Sequence, residues 1–160
     1  MKHLIAGLML LFPALGTFPG VLLAAGEDDK AAATRVLTDY YSAFSRLDVQ
    51  GILPYFHEPC LLVSPEGVAA TPTHAALAAA FTPTMKDLRA RGYARSALTK
   101  LRVEPLSATT TLASGITVRY KANGQELERV GVTYLLQKAD NSWKIAVLVV
   151  HDTDNVLRLE

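Results

Sequence analysis

Residues 112–150 read LASGITVRYKANGQELERVGVTYLLQKADNSWKIAVLVV, and three consecutive strands follow from them. Leu112, Ser114, Ile116, Val118 and Tyr120 alternate with Ala113, Gly115, Thr117, Arg119 and Lys121, the period of two that sends successive side chains to opposite faces of a sheet. Asn123-Gly124 then supplies a tight hairpin turn, because asparagine and glycine both tolerate positive φ. The return strand spans about Glu126 to Lys138. Asp140-Asn141-Ser142 makes a second turn, and Trp143 to Val150 forms a last strand that is apolar on both faces after Lys144.

Upstream of this meander, Ala94 to Leu106 adds an earlier long strand, and before it the apolar period becomes helical. Val36, Tyr40, Phe44 and Leu47 recur at intervals of four, four and three, which marks one face of a helix from about Ala31 to Arg46. Asp48 is placed to cap a short second helix through Phe56, burying Ile52, Leu53 and Phe56, with Pro54 distorting its end. Cys60 to Val63 reads as a buried strand closed by a turn at Ser64-Pro65-Glu66-Gly67. Thr71 followed by Pro72 predicts the N-cap of a third helix, in which Leu77, Phe81, Met85 and Leu88 share a face and Pro83 introduces a kink. Cys60 is the single cysteine, so no intramolecular disulfide forms, and its expected role is that of a small buried hydrophobe.

The 160 residues suffice for one sizeable core and not for two ordinary domains. Lys and Arg number 16 against 15 Asp and Glu, with no block of like charge, so neither nucleic acid nor an anionic membrane surface is an expected partner. Met1-Lys2-His3, the apolar run Leu4 to Leu15 and the small residues at Ala24-Ala25-Gly26 have the form of a secretory signal over residues 1–25. Cleavage is expected near Ala25, with a site near Gly16 as the alternative, leaving a periplasmic or secreted protein. Pro13, Pro19 and Gly20 argue against a stable spanning helix, so no membrane partner is expected once the signal is removed, an uncleaved anchor being the alternative.

The order helix, helix, strand, helix and four long antiparallel strands carries three short motifs: Tyr40-Tyr41-x-x-Phe44, Leu47-Asp48-x-x-Gly51-Ile52-Leu53-x-x-Phe56 and Trp143-Lys144-Ile145. Together they resemble the nuclear transport factor 2-like (SnoaL-like, ketosteroid-isomerase-like) superfamily over residues 31–151. Phe56 to Cys60 with Ser64 to Val68 is similar to an uncharacterised bacterial subgroup of it. The resemblance implies one α+β domain, residues 31–155, in which a curved mixed or antiparallel sheet wraps the helices and leaves a cone-shaped pocket. Polar residues aimed into that cone are the candidates for function. By similarity to the ketosteroid-isomerase-like enzymes, an oxyanion-donating tyrosine falls on Tyr40, eleven residues before Gly51, but the position of the carboxylate base falls on Ser64. A serine hydroxyl without a basic partner does not abstract a carbon-bound proton near neutral pH, and Val130 to Leu136 holds no aspartate to complete an oxyanion hole. Isomerase chemistry of that type is therefore not expected, and Tyr40 has the alternative role of a core aromatic whose hydroxyl finds a partner.

The remaining candidates are charged. His57 is either a cation at the end of helix two or a pocket base, and His74 is expected in solvent in the first turn of helix three. His151 is in register with Trp143, Ile145, Val147 and Val149, so it stands at the rim of the cone if that face lines it. His151-Asp152-Thr153-Asp154 has no helix-spaced histidine pair and is expected to be a polar strand end, not a metal site. Arg119 has two destinations: into the cone with Thr117, where it holds an anion, or outward, paired with Glu126 or Glu128. Outward is the expectation, because an antiparallel sheet usually sends its polar face to water.

Two classes of function fit these residues, with no cofactor implied by either. One is a module binding a small, mainly apolar molecule through Tyr40, Phe44, Phe56, Ser64, Arg119 and His151. The other is a lyase, isomerase or hydrolase with His151 or His57 as base and Tyr40 as donor. A structural or assembly subunit is a third possibility. The doubly apolar last strand adds the expectation of a homodimer packed sheet to sheet, with a core strand covered by its own C-terminal tail, Asn155 to Glu160, as the alternative.

Overall fold

The computed structural model describes residues 20–157, with side-chain surroundings from Asp28 onward. Most of the expected signal therefore lies outside the described residues, and the expected cleavage position falls within α1 (Gly20–Ser45). Ala33, Leu37, Tyr40, Tyr41, Ala43 and Phe44 form its buried face. That stripe is about one residue out of phase with the Val36-led pattern, since Val36 is only half-buried and Leu37 is fully enclosed. Near its start, Asp29 accepts from Lys138 Nζ at 2.8 Å and Trp143 Nε1 at 3.4 Å, tying the helix to the sheet.

Asp48 caps α2 (Val49–Ile52) by accepting from the Gly51 amide at 2.8 Å. The helix ends sooner than Phe56: Pro54 carries no N–H for the ladder, and Leu53–Tyr55 tightens into a 3-10 turn. β1 (Phe56–Ser64) follows directly and turns into β2 (Gly67–Thr71), a strand that the expected turn and cap left unassigned. Thr71 ends that strand, its hydroxyl donating to the Cys60 carbonyl at 2.9 Å, and the N-cap of α3 (His74–Ala90) is Thr73, not Thr71. Leu77, Phe81, Met85 and Leu88 are its buried residues, and Pro83 sits within the continuous helix. His74 is half-buried, its Nε2 3.1 Å from the Phe56 carbonyl, because the strand before α3 holds that first turn against β1.

β3 (Tyr93–Ser107), β4 (Thr110–Lys121), β5 (Glu126–Ala139) and β6 (Ser142–His151) complete a six-stranded mixed sheet of order β2-β1-β6-β5-β4-β3. β1 and β6 run parallel and every other pair is antiparallel. The sheet is open and three helices pack against it, the α+β arrangement expected. Asp140 and Asn141 take φ of 51° and 59°, the left-handed pair that a two-residue hairpin needs.

One departure from regular pairing decides where side chains point. Leu135 pairs with Val147 and Leu136 with Ile145, so Ala146 is an extra residue, a β-bulge that reverses the alternation along β6. Trp143 and Ile145 face the helices before the bulge, and Leu148 and Val150 do so after it. Val147, Val149 and His151 are thereby turned to the outer face. There the tail beyond the 3-10 turn Thr153–Asn155 crosses the sheet, with the Leu157 amide donating to Ser114 Oγ at 3.2 Å. Among the described residues no helix is long and apolar enough to cross a membrane.

Candidate functional site

Between helices and sheet lies a cavity of about 400 Å³. α1 contributes Tyr40, Tyr41 and Phe44, and α3 contributes Ala80, Phe81 and Thr84. The sheet floor consists of Thr117 and Arg119 from β4, Val130, Val132 and Tyr134 from β5, and Leu148 and Val150 from β6. The β1–β2 hairpin closes one side with Leu62 to Ser64 and Glu66 to Ala69. Most of these groups are apolar, so the few polar ones fix what the cavity accepts.

Three phenols sit in the wall. The Tyr41 hydroxyl shares hydrogen bonds with Thr117 Oγ1 and the Tyr134 hydroxyl, so one helix residue is tied to two neighbouring strands. Burial pushes the phenols of Tyr40 and Tyr134 well above their ordinary pKa and that of Tyr41 upward as well. All three therefore stay protonated at neutral pH and present O–H groups, not phenolates. Tyr40 packs edge-on against Tyr41, Phe56 and Tyr134, with ring centroids 4.9, 5.3 and 6.4 Å away. It is 3% exposed, and its hydroxyl has no protein hydrogen-bond partner among the described residues.

Arg119 points into the cavity, not outward. Thr117, on the same face of β4, is bonded to Tyr41 of α1 and lines the cavity, so the polar face of β4 is the one the helices cover, and alternation carries Arg119 with it. Its Cζ lies 5.6 Å from the Phe44 ring centroid. The anticipated acidic partner is present, since Arg119 Nη1 donates to Glu128 Oε1 across the β4–β5 pair. Arg91 Nη2 donates to the other oxygen of the same carboxylate. Burial alone would raise the Glu128 pKa, but the two guanidinium bonds outweigh it and hold the carboxylate below its usual range.

Of the residues singled out from the sequence, Tyr40, Phe44, Ser64 and Arg119 meet around the cavity. Phe56 does not line it: it is fully buried behind Tyr40. His57 is neither cap nor pocket base, because the Pro54 turn places it in β1, where its Nδ1 donates to the Pro59 carbonyl at 3.3 Å. The neighbouring Glu58 serves a different helix, accepting from the His74 amide in the first turn of α3 beside its Thr73 cap. His151 does not line the cavity: the Ala146 bulge turns it to the outer face, beside a second pocket that shares Glu66, Val130 and Val150 with the cone. Its Nδ1 donates to the Asp152 carbonyl at 2.8 Å, which leaves Nε2 as acceptor for the Thr133 hydroxyl at 2.9 Å. No histidine lines the cavity among the described residues.

Sequence reasoning passed over Tyr41, Thr117, Tyr134 and Glu66. Tyr41 is one helical step from Tyr40, and the sheet wraps α1 widely enough to bury both. Glu66, on the exposed hairpin, accepts from Ser64 Oγ, a bond that lowers its pKa and keeps a carboxylate at the edge of the cavity. A serine therefore occupies the expected base position, with a solvated carboxylate two residues on.

A family model described as NTF2-like protein (DUF6841) matches residues 28–153. Among functionally curated proteins, none matches the chain. A Nostoc punctiforme protein of unknown function with a cystatin-like fold superposes with a TM-score of 0.66 at 16% identity, covering 77% of this chain and 90% of its own. An NTF-2 like protein of unknown function from Shewanella oneidensis gives 0.63 at 18% identity, covering 79% and 99% respectively. A ketosteroid isomerase-like protein from Erwinia carotovora gives 0.59 at 17% identity, covering 82% and 98%. At these identities the likeness is one of fold, and what the cone takes must be argued from its own side chains.

Proposed function

The chain belongs to the NTF2-like family DUF6841, and from that premise we propose that it is a binding module holding one small, mainly apolar molecule in the cone. The observation that carries this is the chemistry of the wall: aromatic and aliphatic surface, neutral phenols, one guanidinium, no imidazole, and a single carboxylate, Glu66, at the exposed mouth. A proton-abstracting enzyme of the lyase, isomerase or hydrolase kind needs a base within reach of the substrate; His57 and His151 are both directed elsewhere, and Glu66, the carboxylate on the lining, stands in solvent at the hairpin and is bonded to Ser64. An assembly subunit would fill the cone with side chains, whereas about 400 Å³ is left open.

Magnitudes show which contacts decide affinity. Burying roughly 200 Å² of apolar ligand surface contributes about 5 kcal/mol. Loss of translational and rotational freedom costs about 4 kcal/mol or more. Apolar burial therefore brings a ligand in weakly, and oriented polar contacts set affinity and identity.

The reading extends to place and assembly. The signal-like residues 1–25 support action in the periplasm or outside the cell, and the outward, half-buried Val147 and Val149 support a homodimer packed on that face. Titration with N-phenyl-1-naphthylamine, a neutral probe that brightens in apolar surroundings, tests the central claim. One saturable site per chain is expected, lost when Val132→Trp fills the cone. Non-saturable binding, or binding indifferent to Val132→Trp, would sink it. Native mass spectrometry of the exported protein reports the mature N-terminus and subunit count together.

A further inference from the structure

Arg119 is held in an unusual way for an arginine in an ion pair. Glu128 takes Nη1 alone, from one oxygen, while Arg91 occupies the other. Nε–H, which runs parallel to Nη2–H on the edge that matches the two oxygens of a carboxylate, has no protein partner among the described residues. Nε is shielded from solvent as well, and a buried donor left without an acceptor is disfavoured. The same chain shows what this edge does when it is satisfied: Arg129 donates from Nε and Nη2 to Glu126 Oε1 and Oε2, both at 2.6 Å.

The surroundings supply donors, and each nearby carboxylate already has partners of its own. Tyr40, with its unpartnered hydroxyl, packs on the Phe44 ring at 5.9 Å between centroids, and the Arg119 guanidinium lies over that ring at 5.6 Å. The Glu128 charge is divided between two guanidinium groups, and Asp87 engages only Arg91, at the surface. Glu66, the carboxylate on the lining, is exposed on the β1–β2 hairpin and bonded to Ser64.

We propose that the molecule taken by the cone is apolar and ends in a carboxylate, received side-on by the Nε–Nη2 edge of Arg119, with the Tyr40 hydroxyl as a further donor and Glu128 as the residue that positions the guanidinium. This assignment rests on the cone being a binding site. A bidentate pair in a low-dielectric wall discriminates strongly against a ligand that lacks the anion, because the neutral analogue leaves both donors unmet.

Isothermal titration calorimetry with octanoate and octan-1-ol, which share one apolar body and differ in the headgroup, separates the two claims. Octanoate is expected to bind wild-type protein at least about tenfold more tightly than octan-1-ol. Arg119→Lys keeps the charge but lacks the paired donors, and it should reduce the ratio to about threefold or less, with Arg119→Gln removing it. Equal affinities in the wild type would overturn the carboxylate assignment and leave the cone a binding site. A full preference retained by both variants would overturn Arg119 as the receiving residue. If neither molecule binds, the cone reading itself falls, and this assignment with it.

Discussion

His151 Nε2 lies 2.9 Å from Thr133 Oγ1 on the face of the sheet turned away from the cone. The contact is part of a chain: Thr133 Oγ1 is 2.9 Å from Ser114 Oγ, which in turn accepts from the Leu157 amide. His151 thus pins the end of β6 and the tail to the outer face. His151→Ala should leave affinity for the neutral naphthylamine probe unchanged within about twofold while lowering stability by about 1 kcal/mol, read from urea melts. A large loss of probe binding in this variant would mean that the imidazole reaches the cone after all.

The error in placing His151 shows what period-two patterning can and cannot carry. Four long strands, their order and both hairpin turns were legible, because alternation and Asn-Gly or Asp-Asn signals are local properties of the chain. The bulge at Ala146 is not local: it is defined by two residues of β6 facing one step of β5, and a run apolar on both faces gives no sign of where its parity reverses. Arg119 was misdirected for a related reason. The rule that polar faces look to water fails where the helices cover the polar face and Thr117 and Arg119 find partners inside it. Tyr40, Phe44 and Ser64, picked out by helical spacing and by counting from Gly51, do line the cavity, whereas Tyr41, Thr117 and Tyr134 act as one hydrogen-bonded unit that exists only once α1 lies on β4 and β5.

The two adjacent tyrosines should respond in opposite ways to loss of the hydroxyl. Tyr41→Phe leaves Thr117 Oγ1 and the Tyr134 hydroxyl, both buried, without their shared partner, and is expected to cost about 1–3 kcal/mol of stability. Tyr40→Phe removes a group that bonds to nothing in the protein, so its stability should change by no more than about 0.5 kcal/mol. Its octanoate affinity should nevertheless fall, by about threefold or more. Thermal melts and calorimetry on the pair check this, and equal destabilisation by both changes would contradict the assignment of the network to Tyr41.

Asp29 links stability to pH. Its hydrogen bond with Lys138, helped by the Lys138 charge and by Trp143, holds the carboxyl below its ordinary pKa against the raising effect of burial. A carboxyl with a depressed folded pKa stabilises the protein above its unfolded value of about 3.9, and that contribution disappears as pH falls through the lower folded value. Asp29→Asn should therefore cost about 0.5–1 kcal/mol at pH 7, a modest figure because the Lys138 head is partly in solvent. The gap between the two proteins should close below about pH 4. A gap that persists there in acid urea melts would point to lost packing and not lost charge.

Gly131 pairs across the sheet with His151, and a Cβ added to it would stand 2.4 Å from His151 Nδ1 and 2.5 Å from the Asp152 carbonyl oxygen. The first clash is with a ring that can turn, but the second is with backbone, so the end of β6 must move. Gly131→Ala should destabilise by about 1–3 kcal/mol and loosen the tail held through Thr133 and Ser114. Because part of the clash is with the imidazole itself, the cost should be smaller when His151→Ala is already present, a coupling of about 0.5 kcal/mol or more in a double-mutant cycle. Additive costs would show instead that the Asp152 carbonyl alone sets the requirement for glycine.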